Sequence, residues 1–236
     1  MDTTLRGDAD AAARPGRGRR WRQVTATTLL VAVGGLVIVL LVGNLSILGA
    51  TRWARSNVDS PPAPAPAGVD NFEMVDRRVS RGAAPTPLGY RSLAALGVDM
   101  VIDLRAEDNL RVDDAALRRL GITRVHVPVR DGQAPAEAEV RRVLDVVLAH
   151  PDHKIFIHCG AGVGRTGTMA AAYLVATGEA DAAEALRRNL AVGPPSLEQV
   201  AFVAKLGGSR TERPAPALVA VSRALDAPRR LWSRLS

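Results

Sequence analysis

The residues with the clearest chemical potential lie in one run, His158-Cys159-Gly160-Ala161-Gly162-Val163-Gly164-Arg165-Thr166-Gly167-Thr168. A short apolar stretch, Lys154-Ile155-Phe156-Ile157, precedes it, and a helix-forming stretch, Met169 to Ala176, follows. The run therefore reads as a glycine-rich loop between a strand and a helix N-terminus. Glycines let such a backbone curl until several N–H groups face one concavity, and the following helix turns its positive end toward the same point. The backbone of Gly160, Ala161, Gly162, Val163 and Gly164 can thus bind the oxygens of a phosphate. The guanidinium of Arg165 can hold two of them at once. The same field favours the Cys159 thiolate over the thiol. A thiolate facing a tetrahedral phosphorus can attack it and take the phosphoryl group.

Such a transfer needs a proton for the departing oxygen, and a carboxylic acid on a mobile loop can supply it. Asp131 fits best: in Pro128-Val129-Arg130-Asp131-Gly132-Gln133-Ala134-Pro135 it lies between a strand end and a proline-started helix. The competing reading is an aspartate that makes a turn or caps a helix. Asp103 falls inside a strand, Asp145 on a helix and Asp152 in a turn. Thr166 can donate its hydroxyl to the Cys159 sulfur and stabilise it as a leaving group in a second step. His158 reads as a residue that orders the loop rather than a proton carrier.

His158, Cys159, five residues, Arg165 and Thr166 together resemble the active-site loop of the cysteine-dependent protein tyrosine and dual-specificity phosphatases. On the family's usual extent the resemblance covers roughly residues 72–207. It implies a phosphomonoester hydrolase that works in two steps through a thiophosphate on Cys159, with Asp131 as general acid and without cofactor or metal. It also implies a phosphorylated protein as substrate, phosphotyrosine first, with phosphoserine and phosphothreonine open. In tyrosine phosphatases a glutamine positions the hydrolytic water. Gln199 could do so here, or could be an ordinary exposed helical glutamine. Phosphoinositide-specific relatives often carry lysines in the loop, whereas positions 160–164 hold no charge. A phospholipid phosphatase of the same mechanism stays open, as do a phosphoprotein-binding pseudophosphatase and a rhodanese-like sulfurtransferase.

The elements that must position these groups alternate. Phe72 to Ser80 reads as a strand or hairpin, and Arg81 to Pro87 as a loop. Leu88 to Leu96 and Ala115 to Leu120 read as helices stopped at Gly97 and Gly121. Strands are expected over Met100–Leu104 and Ile122–Val129. Pro135 opens a helix to about Ala149, with Val140, Val143, Leu144, Val147 and Leu148 as its apolar stripe. Ala182–Leu190 and Ser196–Leu206 are two more helices. The pattern predicts an α/β fold of tyrosine phosphatase type, with a central, mostly parallel sheet flanked by helices and the ligand at the C-terminal ends of the strands. One transmembrane helix is expected ahead of it.

The expected organisation is a basic segment 1–23, an anchor 24–50, a Pro-rich linker 51–70, the catalytic domain 71–210 and a tail 211–236. Residues 24–50 contain no charge and, at about 1.5 Å per residue, make roughly 40 Å of helix. Trp21 and Trp53 flank them as interface aromatics often do. The run exceeds the h-region of a signal peptide, and Leu48-Gly49-Ala50 is a poor cleavage site. Residues 24–50 are therefore expected in a lipid bilayer. Arg6, Arg14, Arg17, Arg19, Arg20 and Arg22 precede the span, and only Arg52 and Arg55 closely follow it. The positive-inside rule then predicts a cytoplasmic N-terminus and a catalytic domain outside. The net charge of +7 owes much to these N-terminal arginines and gives no ground to expect nucleic acid as a partner. The single cysteine excludes an internal disulfide. The tail mixes Leu218, Val221, Leu225, Leu231 and Trp232 with Arg223, Arg229, Arg230 and Arg234. It reads as a basic amphipathic helix on a membrane surface, as a segment packed on the domain, or as disorder, and activity on a small soluble substrate should not need it.

Overall fold

The structure is a computed structural model that describes residues 17–57, 64–107, 113–208 and 214–235. It forms two compact units, Met1–Leu45 and Ser46–Ser236. The first consists, in its described part, of one helix. The chain forms α1 over Arg17–Ser56, and the apolar side chains from Leu29 to Leu45 stand largely exposed. By length and composition this helix can cross a membrane. Residues 1–16, which carry Arg6 and Arg14, and the side chain of Trp21 lie outside the described residues.

The second unit holds a five-stranded sheet in the order β1-β2-β5-β3-β4. The strands are β1 (Glu73–Met74), β2 (Val79–Ala83), β3 (Val98–Arg105), β4 (Thr123–Val129) and β5 (Lys154–Cys159). Only the short β1 runs antiparallel, as the first arm of a hairpin with β2. The other pairings are parallel, and they put β5 at the centre with Cys159 opposite Ala83 and His158 opposite Asp103. The expected α/β class therefore holds. Arg81-Gly82-Ala83 is not loop but the end of β2, buried throughout. A strand covered on both faces carries no polar alternation to give it away.

The helices are α2 (Pro87–Ala95), α3 (Asp114–Arg119), α4 (Glu137–Ala149), α5 (Gly164–Ala176), α6 (Ala182–Val192), α7 (Leu197–Val203) and α8 (Pro216–Leu235). Gly97 and Gly121 do end α2 and α3, each with a positive φ. One sheet face packs Ile102, Leu104, Val127, Ile155 and Ile157 against Val143 and Val147 of α4 and Met169, Tyr173 and Leu174 of α5. The other packs Val101, Ile122 and Phe156 against Leu93 of α2 and Leu117 of α3. The α4 stripe is narrower than its sequence suggests, since Leu148 is 60% exposed. The start of the expected linker 51–70 is also built in: Ala54 of α1 is buried and Arg55 donates to the α6 carbonyls of Ala191 and Val192 at 2.8 Å each. Residues 58–63, with the first part of the proline-rich stretch, lie outside the described residues.

Candidate active site

The Cys159 loop is held by its carbonyls. Gly160 O accepts from Ala84 N at 3.0 Å, and Ala161 O from Asn71 Nδ2 at 2.9 Å. Gly162 O and Val163 O accept from Arg81 Nη2 at 2.9 and 3.4 Å. Four consecutive carbonyls are thus turned outward and bonded, which turns the intervening peptide N–H groups toward the concavity above Cys159. Gly162 has φ +73°, and a Cβ there would meet Ala83 N at 2.3 Å, so both conformation and space require glycine. Gly167 lets α5 approach Asn189, whose Oδ1 would lie 1.6 Å from an added Cβ.

Arg81 is the first functional residue that the sequence reading missed. It is 2% exposed, and its guanidinium also faces Glu73 at 3.7 Å. Burial pulls its pKa down, against the opposing pull of Glu73 and Cys159. No local signal marks it; only pairing of β2 with β5 brings it under the loop.

Arg165, in the first turn of α5, is also buried. Its two terminal nitrogens form a fork with Glu107 at 3.0 and 2.8 Å. Nη1 also donates to Val129 O at 3.2 Å, and Nη2 lies 3.2 Å from Asp131 Oδ1. Burial works against its charge, but the Glu107 bond and the charges of Cys159 and Asp131 outweigh it and raise its pKa. Glu107 is the second residue missed. It lies two positions beyond β3, at the strand ends where the ligand was expected, and that position was its only signal.

Cys159 is 3% exposed at the floor of a cleft of about 430 Å³, including its open mouth, which Asp131, Gly132, Ala161, Gly164, Pro194, Ser196, Gln199 and Asp226 line. Asp131 and Cys159 therefore share one cleft, although 28 positions separate them in sequence (159 − 131). Thr166 is fully buried and its hydroxyl has no partner among the described residues; a bond to the Cys159 sulfur is not formed. His158 is fully buried, and desolvation pushes its pKa down to about 4. It is neutral at pH 7, with Nδ1 3.3 Å from Cys159 O, which suits a residue that orders the loop. Nearby Asp103 is driven up by burial but brought below its usual value mainly by the Arg105 fork at 2.9 and 2.8 Å.

Gln199 is not an exposed helical glutamine: it is 1% exposed. Its Oε1 accepts from Ser196 N at 3.0 Å, and its Nε2 donates to Gln133 O at 3.1 Å. Its amide is thus committed to the start of α7 and to the Asp131 loop, while its Oε1 would lie 2.7 Å from a Cβ on Gly164.

Comparison with known proteins finds similarity to phosphatases. Residues 75–179 match the family model described as a polymorphic toxin system DSP-PTPase phosphatase. This segment is similar to the cysteine-dependent dual-specificity phosphatases. The chain is 39% identical over 70 residues to the human dual specificity protein phosphatase CDC14C, covering 27% of this chain and 15% of that one. It is 28% identical over 103 residues to the inositol diphosphatase DSP4 of Arabidopsis thaliana, covering 42% and 52%. The match thus spans about half or less of these curated relatives. In fold, the core catalytic domain of the PP-IP phosphatase SIW14 from S. cerevisiae superposes with TM-score 0.52 at 19% identity, over 64% of this chain and 89% of that one. The phosphatase region ends, by the family match, before α6 and α7. The Asp131 loop is nevertheless tied to α7, outside the matched residues.

Proposed function

We propose that the chain is a membrane-anchored phosphomonoester hydrolase acting on phosphotyrosine proteins, with phosphoserine and phosphothreonine as further substrates. The observation that carries this is that Asp131 shares one cleft with Cys159 and lies 3.2 Å from the Glu107-oriented Arg165. In the first step the Cys159 thiolate forms an S–P bond as the ester P–O bond breaks, and Asp131 gives its proton to the departing oxygen. In the second, Asp131 takes a proton from water as the oxygen of that water displaces the sulfur, releasing phosphate. Arg165 and the amides of Gly160, Ala161, Gly162, Val163 and Gly164 hold the equatorial oxygens in both steps. The Thr166 hydroxyl, buried and without a partner among the described residues, gives its proton to the sulfur as negative charge returns there. His158 orders the loop, and Gln199 holds the Asp131 loop rather than standing free to orient water.

A singly phosphorylated group suits the cleft. The loop carries no lysine, and the charged side chains on the lining are the carboxylates Asp131 and Asp226. A second phosphate would meet these carboxylates. Phospholipid turnover by the same mechanism is the second reading, favoured by an apolar helix suited to a bilayer. We place residues 24–50 in that bilayer, with the N-terminus cytoplasmic and the domain outside by the excess of arginine before the span. Turnover of phosphotyrosine peptide, phosphoserine peptide and phospholipid vesicles should rank in that order; lipid turnover above both peptides would replace the first reading by the second. A reporter at the C-terminus should show alkaline phosphatase activity, and reporter activity confined to the cytoplasm would reverse the orientation.

A further inference from the structure

The Asp131 loop is a tight turn, closed by Gln133 N to Arg130 O at 3.2 Å around Gly132 at φ +68°. Three consecutive backbone groups past Asp131 are bonded by side chains from the start of α7. Ser196 Oγ donates to Gly132 O at 2.8 Å, Gln199 Nε2 to Gln133 O at 3.1 Å, and Glu198 Oε1 accepts from Ala134 N at 3.1 Å. Glu198 is 5% exposed, and it is in turn held from α8. Its backbone N–H donates to the buried Ser222 Oγ at 3.1 Å, and its Oε2 lies 3.5 Å from Arg223 Nε. A buried carboxylate needs a cation or hydrogen bonds to stay, and here a helix of the tail supplies the cation.

We propose that Glu198 is a positioning residue for catalysis and that α8, through Arg223 and Ser222, belongs to the apparatus that aims Asp131. The tail is then not an accessory. It fixes the carboxylate that fixes Ala134, three residues from the proton donor. The proposal rests on the reading of Asp131 as that donor. Its signature follows from what a proton donor does. An alkyl phosphate leaves as a poor alkoxide and needs protonation; a nitrophenyl phosphate leaves with little help. Slack in the Asp131 loop therefore slows the first far more than the second. Damage to the Cys159 cradle slows both alike, because both place the same phosphoryl group there.

The test measures kcat/KM for phosphoserine peptide and for 4-nitrophenyl phosphate in the full chain carrying Glu198→Ala, Glu198→Gln, Arg223→Ala or Asp131→Asn. Asp131→Asn should lower the ratio of the two values by about a hundredfold. Glu198→Ala should lower it by about tenfold. Glu198→Gln, which keeps an acceptor for Ala134 N–H, should recover most of that loss, and the exposed Arg223→Ala should lower the ratio by about threefold. If Asp131→Asn shifts the ratio and both Glu198→Ala and Arg223→Ala leave it at the wild-type value, the positioning role is refuted while the donor stands. If Asp131→Asn itself leaves the ratio unchanged, the donor assignment falls and the proposal with it. Should Glu198→Ala fail to fold, Arg223→Ala decides alone: a ratio about threefold below wild type supports the role, and the wild-type ratio refutes it.

Discussion

Two loops meet over Cys159 and are held in opposite ways. The Cys159 loop continues the central strand, and its carbonyls are pinned from β2 and its flanks by Arg81, Ala84 and Asn71. The Asp131 loop leaves the edge strand β4 and is pinned by three side chains of a later helix. The first is a cradle set into the core, and the second is a strap tied on from outside. Asp131 reflects this: it is 56% exposed, against 4% for Arg165. A group that must stay fixed on three phosphoryl oxygens belongs in the first kind of loop. A group that gives a proton and takes one back belongs in the second.

The sharpest way to break the comparison is at Arg165. Arg165→Lys keeps the charge but loses the fork toward phosphate and Glu107, and should lower kcat/KM by about 10³-fold for good and poor leaving groups alike. A loss confined to poor leaving groups would mean that Arg165 acts through the donor loop. Arg81→Met removes the donor to Gly162 O and Val163 O. It should cost about tenfold in kcat, again irrespective of the leaving group, and break the ion pair with Glu73. Steady-state kinetics on both substrates checks it. Ser196→Ala touches the strap instead: it removes both the cap of α7 and the bond to Gly132 O. It should destabilise the fold by about 1 kcal/mol in urea titrations and lower activity severalfold, mainly on poor leaving groups.

A further effect concerns pH and the cradle alone, and it falls on stability rather than on turnover. His158 has a folded pKa of about 4, held below its usual 6.5 chiefly by burial. Between those values the unfolded chain binds the extra proton, so stability falls as pH drops through 6.5 and the loss is complete near pH 4. By pH 5 the cost is about 2 kcal/mol. Urea midpoints measured from pH 7 to pH 5 should decline less in His158→Asn than in the wild type.

What could be read in the sequence follows the same division. The Cys159 loop was legible because its parts are contiguous, and glycine, arginine and cysteine each have a physical reason to be there. Gly97 and Gly121 marked two helix ends because the chain adopts positive φ at both. Arg81, Glu107 and Glu198 were not legible. Each is a charged residue outside any motif, and each acquires a role only through tertiary placement: Arg81 through pairing of β2 with β5, Glu107 through a fork to a residue 58 positions away, Glu198 through a bond to one 64 positions away. Gln199 was visible as a candidate, but its burial depends on how α7 packs against the Asp131 loop. The tail carried an amphipathic pattern that suits a membrane or a protein surface equally. In the structure the first half of α8 packs on α7 and buries Ser222.

The central claim is that Cys159 carries the phosphoryl group. Rapid acid quench of the enzyme during turnover of a ³²P-labelled phosphotyrosine peptide, followed by peptide mapping, tests it most directly. Label is expected on the peptide that contains Cys159, with no label in Cys159→Ser and loss of turnover in that variant with phosphate binding retained. Near wild-type hydrolysis by Cys159→Ser, or label on any other residue, would contradict it.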